Sequence, residues 1–159
     1  MSLDDLYQEI ILDHYRSPRN RSAELEPHDV HVHHSNPLCG DELDLRVRVD
    51  RSSDAAAPTV AALAYDGEGC SISMASASAM SEAVLGRKLS DAEDLTEAFR
   101  LMMHGEGLKR EDDLLDGVAF QGVAKFPVRV KCALLGWMAF KDAITSYAAG
   151  RGEHRVTHD

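Results

Sequence analysis

Hydrophobic and polar positions alternate most clearly in the middle of the chain. From residue 43 to residue 50 apolar side chains at odd positions are separated by charged ones, a period-2 pattern that predicts a strand with one solvent-facing side. A second apolar run from Thr59 to Tyr65 follows a polar connection, so the two segments are predicted to form a hairpin. A shorter alternation at His31-Val32-His33 predicts a further strand at the sheet edge.

Helical periodicity occupies the rest of the sequence. Ser2 and Asp5 resemble a capping box at the first helix, and Ser90-Asp91-Ala92-Glu93 predicts another at the third. Pro127 suits the first position of the last helix. Small residues dominate the second helix, so another backbone can approach it closely. The predicted helices cover residues 2–15, 70 to about 85, a stretch from 90, and 127 to about 147, while residues 114–126 are predicted to be irregular or briefly helical.

Length and composition predict one folded domain. The chain has 159 residues, of which 44% are hydrophobic, and a chain of this size can bury most of its unfolded surface. We assign residues 1–149 to that domain. Residues 150–159 are polar and are predicted to form a frayed tail.

The charge balance restricts the partners. Asp and Glu number 27 against 17 Lys and Arg, giving a net charge of -10, which argues against nucleic acid and against anionic membrane surfaces. A basic protein surface is the more natural partner. No apolar run is long enough to span a bilayer, and the acidic N-terminus lacks the layout of a signal peptide. We therefore expect a cytoplasmic protein with reduced thiols.

Three cysteines provide the candidate chemistry, and each has a distinct setting. Cys39 lies in a loop with Gly40 and Asp41, a glycine-hinged pair that could point a thiol and a carboxylate at one spot. Cys70 begins a helix, where the helix dipole favours a thiolate. Cys132 is expected to have its pKa lowered by Arg129 and Lys131. Simple burial explains any one cysteine, but it explains all three less well.

The residues alone do not determine which metal the site would bind. Three thiolates with Asp41 as fourth ligand fit tetrahedral zinc, and thiolates also suit an iron-sulfur cluster. The gaps between the cysteines match no compact zinc-finger spacing. Four histidines form a second candidate cluster, for which we favour surface positions on an edge strand. These are His28, His31, His33 and His34.

Motifs along nearly the whole chain resemble those of the SufU proteins, zinc-containing relatives of the IscU/NifU iron-sulfur scaffold family. The matching segments are Leu3-Asp4-Asp5-Leu6-Tyr7, Asp13-His14-Tyr15, Pro18-Arg19-Asn20, Asn36-Pro37-Leu38-Cys39-Gly40-Asp41, Gly67-Glu68-Gly69-Cys70-Ser71-Ile72-Ser73 and Arg129-Val130-Lys131-Cys132-Ala133. Lys131 stands where IscU-type scaffolds have a histidine. The segment between the second and third cysteines is also longer by about one helix. Both features resemble SufU more than IscU.

The resemblance implies an α+β fold, with a small three-stranded antiparallel sheet covered by helices and a helical insertion between Cys70 and Cys132. It also implies that zinc is held by Cys39, Asp41, Cys70 and Cys132. In such proteins the ligand matched by Cys39 accepts sulfur. Arg129 and Lys131 would offset the negative charge around the metal, although both could equally be solvated residues of a first helical turn.

The implied role is that of a zinc-dependent sulfurtransferase in iron-sulfur cluster assembly. It would accept persulfide sulfur from a pyridoxal-phosphate cysteine desulfurase of the SufS type, whose histidine replaces one cysteine on zinc, and pass sulfur to a downstream assembly scaffold. One alternative is a non-enzymatic scaffold that binds a nascent iron-sulfur cluster on the same ligands. A third is that zinc is purely structural.

Overall fold

One layer of the fold is a sheet and the other is helical. The computed structural model of the protein describes residues 2–158. In chain order its elements are α1 (Leu3–Arg16), β1 (Val30–Asn36), β2 (Asp41–Asp50), β3 (Thr59–Glu68), α2 (Ser71–Val84), α3 (Leu89–Met103), α4 (Glu111–Leu114), a 3₁₀ helix (Leu115–Val123), α5 (Pro127–Ala148) and β4 (Glu153–Thr157). None of the helices in residues 2–158 combines the length and apolar character that a membrane span needs.

The hairpin predicted from the alternating pattern is confirmed. β2 pairs antiparallel with β3 and, on its other side, with β1. Leu43, Leu45 and Val47 are buried while the charged residues between them are not, because successive side chains of a strand point to opposite faces. The apolar face packs against α5 and α2. The predicted α+β class, with helices covering a small sheet, is confirmed.

The sheet has four strands rather than the predicted three, in the order β3-β2-β1-β4. β4 comes from the segment that we expected to be a frayed tail, and it pairs parallel with β1; Asp159 lies outside the described residues. The prediction missed β4 because Val156 is its one apolar residue, so hydrophobic alternation gives little signal. β1 is consequently an interior strand and not the predicted edge.

The predicted helices are present, but one predicted start is wrong. At α1 the capping box forms, with the Asp5 N–H donating to Ser2 Oγ at 3.2 Å and the Ser2 N–H to Asp5 at 3.3 Å. At α3 the helix begins at Leu89, before the predicted box at Ser90. The Leu89 N–H donates to the Pro58 carbonyl at 2.9 Å. Docking against the sheet therefore sets this helix start, and local capping does not.

The insertion between the second and third cysteines packs on α5. The Phe99 ring of α3 stacks on Trp137 with centroids 4.3 Å apart and planes 11° from parallel. Phe120, from the 3₁₀ helix, meets Phe99 edge-on. Offset and edge-on aromatic pairs of this kind add stability beyond their buried area. The segment from 114 to 126, expected to be irregular or briefly helical, is largely this 3₁₀ helix.

Helices α2 and α5 lie close enough to bring two cysteines together. A Cβ placed on Gly136 would lie 3.0 Å from the Cα of Ala77, so only glycine permits this approach. Between the same helices the Ser76 hydroxyl donates to the Ala133 carbonyl at 2.6 Å. The small residues of α2 thus have the packing role that the sequence predicted. The beginnings of α2 and α5 meet beside the turn that joins β1 to β2.

Candidate metal centre

The turn between β1 and β2 carries Cys39 and leads into Asp41. Gly40 has a φ of +71°, a left-handed conformation that glycine adopts at little cost. Asn36 fixes the turn twice, because its side-chain oxygen accepts the Leu38 N–H at 3.2 Å and its carbonyl accepts the Cys39 N–H at 3.2 Å. The thiol of Cys39 is left half-buried at the tip, while the side chain of Asp41 turns inward.

Asp41 is almost completely buried, and it joins the β1–β2 turn to the start of α2. Its Oδ1 accepts the backbone N–H of Cys70 at 3.1 Å, and its Oδ2 accepts the hydroxyl of Ser73 at 2.5 Å. A buried carboxylate is tolerated only where hydrogen bonds or charges compensate for lost water. Two donors from one helical turn provide that compensation and hold the carboxylate in place.

Gly69 makes this arrangement possible. A Cβ at that position would lie 2.7 Å from Asp41 Oδ1 and 3.2 Å from the Cβ of Ser73. In the sequence, Gly69 and Ser73 were noted only as members of the motif around Cys70, and neither was predicted to shape the centre. The available signal was the position of Ser73, three residues after Cys70 at the helix N-cap, where a polar side chain can reach back to the helix start.

Three of the four predicted ligands come together in the structure. The thiols of Cys39 and Cys132 and a carboxylate oxygen of Asp41 all lie within 4.8 Å of one another. Cys70 is not a member of this compact set, although its backbone bonds Asp41; its thiol contacts the Ser73 hydroxyl at 3.4 Å. The four predicted residues therefore form one neighbourhood, with the Cys70 thiol at its margin.

The electrostatics of the centre differ from the sequence expectation. Burial raises the pKa of Cys132 to about 12, together with the neighbouring Cys70 thiol and the negative charge of Asp41. The prediction that Arg129 and Lys131 would lower this pKa is wrong, because both cationic residues are exposed while the thiol is buried. Any lowering effect of the two cations on the pKa of Cys132 is therefore smaller than the raising effects of burial, Cys70 and Asp41.

The pKa of Cys70 is shifted in the opposite direction. Burial alone would raise its pKa, but hydrogen bonds from the side chain and backbone of Ser73 and from Cys132 bring the pKa below its ordinary value. Cys70 therefore becomes a thiolate first, and its charge then opposes ionisation of Cys132. Further negative charge at this spot requires a compensating cation.

The donor chemistry fits a metal ion. Two thiols and a buried carboxylate converge within 4.8 Å, with a third thiol beside them, and this set of sulfur and oxygen donors is of the kind that binds Zn²⁺ in tetrahedral sites. Thiolates also bind iron-sulfur clusters. A divalent cation would relieve the charge repulsion that holds the proton on Cys132.

A groove of about 570 Å³ runs beside the centre, between α1, the start of α2, the end of the 3₁₀ helix and the start of α5. Cys70 and Arg129 both border it, as do Phe126 and Lys125. Lys131 borders a different and smaller cavity of about 130 Å³, together with Asn36 and His158. Arg129 and Lys131 therefore lie on different sides of the centre, and each borders its own cavity.

The four clustered histidines have different surroundings: three lie on β1, on both faces of the sheet, and His28 precedes this strand. His31 and His33 lie on the outer face, where each contacts Asp44, at 2.9 and 3.1 Å. His28 contacts the Leu25 carbonyl at 2.9 Å. The expected surface position is wrong for His34, which is 2% exposed on the inner face. Among the described residues, none of these histidines belongs to the set around Cys39.

A second group of possible ligands is present away from the cysteines. His14, Glu82 and Asp116 also have donor atoms within 4.8 Å of one another. The buried His14 ring contacts the Ser78 hydroxyl and Asp116, each at 2.8 Å. Both carboxylates are substantially exposed. We assign this group a structural role, joining α1 to α2 and to the 3₁₀ helix.

The fold and the centre define a class: small α+β proteins that hold thiols and one carboxylate at the end of a sheet, where they could bind a metal ion. The family model described as the NifU-like N-terminal domain matches residues 6–154. The chain belongs to this family of iron-sulfur cluster assembly proteins.

Individual relatives agree with that assignment. The chain is 39% identical over 149 residues to the zinc-dependent sulfurtransferase SufU of Bacillus subtilis, covering 94% of this chain and 96% of that protein. It is 35% identical over 142 residues to the iron-sulfur cluster assembly scaffold protein IscU of Streptococcus pyogenes, covering 89% and 84%. A crystal structure from Fervidobacterium islandicum, described as a cluster assembly scaffold protein for the SUF system, superposes with a TM-score of 0.76 at 29% identity, covering 86% of this chain and 94% of that one.

Proposed function

We propose that this protein is a zinc-dependent sulfurtransferase that accepts persulfide sulfur from a pyridoxal-phosphate cysteine desulfurase during iron-sulfur cluster assembly. The observation that carries the proposal is the convergence of Cys39, Asp41 and Cys132 within 4.8 Å, at the tip of a turn. The similarity to a Bacillus subtilis protein named a zinc-dependent sulfurtransferase supports it. Lys131 in place of the scaffold-type histidine favours the transferase over a scaffold.

The residues that would hold zinc are Cys39, Asp41, Cys70 and Cys132. When bound, zinc would supply positive charge that keeps thiols deprotonated. The chain's own contribution is to present a pre-formed carboxylate, because Asp41 already accepts two hydrogen bonds from the start of α2. Arg129 and Lys131 would offset part of the negative charge from the two cavities that they border.

Cys39 is the proposed sulfur acceptor because of its position. It is only half-buried at the tip of the turn, beside Leu38, whose side chain is 77% exposed. Cys132 is buried and cannot meet another protein directly. In the transfer step the Cys39 thiolate attacks the outer sulfur of the desulfurase persulfide. A new S–S bond forms on Cys39 as the old one breaks, the desulfurase cysteine leaves as a thiolate, and no net oxidation occurs.

The surface around the centre suits a protein partner. Exposed apolar side chains surround it, with Leu38 at 77%, Phe126 at 55% and Val128 at 70% exposure. Lys125 and Arg129 supply positive charge along the groove in a chain whose net charge is -10. Apolar anchors with nearby cations are typical of protein interfaces. We propose that a desulfurase of the SufS type docks here, and that sulfur then passes to a downstream assembly scaffold.

The test combines metal analysis with a sulfur-release assay. Freshly purified protein should contain about one zinc per chain, as expected for a single four-ligand site, and Asp41→Ala should weaken that binding. Sulfide release by the desulfurase, supplied with cysteine and pyridoxal phosphate, should rise with wild type but not with Cys39→Ala. The control is Ser35→Ala on the outer face of β1, whose half-buried hydroxyl contacts Thr157 at 3.4 Å, and it should stimulate normally. Full stimulation by Cys39→Ala would exclude Cys39 as acceptor.

A scaffold function is the second candidate, since two thiols converge with a carboxylate beside a third thiol and the Streptococcus pyogenes relative is named as a scaffold. Anaerobic reconstitution that yields a stable, transferable cluster on protein without native zinc would favour this function. A purely structural zinc predicts a different result. Chelation would then unfold the protein, and sulfur transfer would fall only in proportion to the unfolded fraction.

A further inference from the structure

Three imidazoles and one carboxylate link the C-terminal strand to the core beneath the sheet. The ring of His34 lies 2.9 Å from Asp142 through Nε2 and 2.7 Å from Nε2 of His158 through Nδ1. His154 contacts the same carboxylate at 2.7 and 2.8 Å. These contacts join β1, α5 and β4 in a region where His34 is 2% exposed.

The contacts determine where the protons lie. Asp142 accepts from both rings that touch it, so His34 carries hydrogen on Nε2 and His154 carries it on Nδ1. The Nδ1 of a neutral His34 is then an acceptor, and the hydrogen in the 2.7 Å contact belongs to Nε2 of His158. One hydrogen fits between the two rings. If both rings were charged, each nitrogen would bear its own hydrogen and the contact would have to open.

The same strand end supports the turn that carries Cys39. The His158 N–H donates to the carbonyl of Ser35 at 2.7 Å, and the next residue, Asn36, bonds the backbone of Leu38 and Cys39. His158 and Asn36 also border one small cavity. The chain of contacts from Asp142 therefore ends at the base of the turn.

We propose that the Asp142–His34–His158 chain is a pH-sensitive clasp, in which His34 and His158 act as positioning residues that hold β4 against β1 and thereby fix the Cys39 turn. The clasp is closed while one hydrogen is shared between the two rings, and it opens when both rings become charged. The consequence for sulfur acceptance by Cys39 rests on the proposed function, whereas the clasp itself does not.

The surroundings set the direction of the pH effect. Burial lowers the pKa of His34, against the raising effect of Asp142, and burial also lowers the pKa of His158. His154 faces Asp142, the residue opposite His34 on β2 is the apolar Leu43, and Lys131 borders the cavity beside His158. Hydrogen bonds from His34 and His154 outweigh burial and lower the pKa of Asp142, so the carboxylate stays ionised throughout.

A histidine whose pKa is lowered by folding stabilises the closed state fully above its ordinary pKa of 6.5, and this stabilisation decreases as the pH falls below that value. The clasp is therefore closed in neutral solution and loosens in mildly acidic solution. His34 and His158 both make the closed state more stable at neutral pH than at acidic pH, because folding lowers the pKa of each ring.

Amide hydrogen exchange of β1, the Cys39 turn and β4 tests the clasp without any transfer assay. Wild type is compared with two variants at about pH 7.5 and about pH 5.5, either side of the ordinary histidine pKa, after correction for intrinsic exchange. His158→Gln keeps an amide that can donate to His34 but cannot be charged. His158→Ala removes the contact. The matched control is His33→Ala on the outer face of β1, which contacts Asp44 and not the clasp.

We expect wild type and His33→Ala to be protected at the higher pH and to exchange about tenfold faster at the lower one, the effect of losing one buried hydrogen bond. His158→Gln should stay protected at both values, and His158→Ala should exchange fast at both. Metal loss in acid would affect His158→Gln as much as wild type, so it cannot imitate this pattern. Equal protection of His158→Ala and wild type at the higher pH, or equal acid loosening in His158→Gln, would overturn the proposal.

Discussion

The carboxylate of Asp41 accepts the backbone N–H of Cys70 at 3.1 Å, across 29 residues of sequence. This bond joins the β1–β2 turn directly to the start of α2. The candidate centre is therefore assembled by backbone and carboxylate before any metal is considered. Residues that shape this contact should affect metal affinity even though they donate no ligand atom.

Gly69→Ala should weaken metal binding because its new methyl group would lie 2.7 Å from Asp41 Oδ1. Either the carboxylate or the start of α2 must then move. We expect zinc affinity to fall by about 10- to 100-fold, as for other residues that orient ligands, measured by competition with a chromogenic chelator. Gly152→Ala is the control, because a Cβ there meets nothing within 4 Å. Equal affinities in the two variants would show that the carboxylate needs no such space.

Ser73→Ala should lower metal affinity by removing the hydroxyl that donates to Asp41 Oδ2. The carboxylate is buried, so the lost donor is not replaced by water. We expect an effect of about 10- to 100-fold on zinc affinity. Ser81→Ala is the matched control, since Ser81 lies about two turns further along the same helix and its buried hydroxyl donates to the Ser78 carbonyl. That control should lose stability but keep its zinc; zinc loss in both would instead indicate a general effect on α2.

The pKa of Cys132 predicts how the metal-free protein responds to alkali. Folding raises this pKa from 9.0 to about 12, so the unfolded chain loses the thiol proton first. The resulting stabilisation is fully present below pH 9.0 and is lost as the pH rises towards about 12. Urea denaturation of the reduced, metal-free protein should show a steeper loss of stability in that window for wild type than for Cys132→Ala. Parallel curves would mean that folding does not raise the pKa of this thiol.

Much of the sheet and helix pattern could be predicted because it follows from the local periodicity of apolar residues. The alternation around Leu45 determines which face of β2 is buried, and small residues such as Ala77 indicate a close helix contact. The cysteine motifs likewise indicated which thiols belong together. These features depend on residue types at fixed spacing, which a sequence displays directly.

Other features depend on contacts between distant segments. β4 has little apolar signal and becomes a strand by pairing with β1, while His34 is buried because Asp142 and His158 satisfy both of its ring nitrogens. The pKa of Cys132 likewise reflects burial and neighbouring thiols, which its adjacent residue Lys131 did not reveal. Such effects require the positions of groups up to 124 residues apart.

His14 should be a major stability determinant, unlike its neighbour Asp13. Both nitrogens of the buried ring form hydrogen bonds: Nδ1 contacts the Ser78 hydroxyl and Nε2 contacts Asp116, each at 2.8 Å. Because an ionised carboxylate can only accept, His14 Nε2–H donates to Asp116, and Nδ1 of the neutral ring accepts the Ser78 hydroxyl. The Ser78 oxygen also accepts the Arg19 N–H at 2.8 Å. His14→Ala leaves the buried Ser78 hydroxyl without its acceptor, and we expect the free energy of unfolding to fall by roughly 1–3 kcal/mol.

Asp13→Ala provides the matched control for that substitution, because the Asp13–Arg19 ion pair lies at the surface, where such pairs contribute little. Urea denaturation near neutral pH should separate the two variants clearly. Zinc content should be normal in both, since neither residue contacts the cysteines. An equally small effect of the two substitutions would show that α1 is held to α2 by apolar packing alone. Loss of zinc from His14→Ala would instead show that α1 helps to position the metal centre.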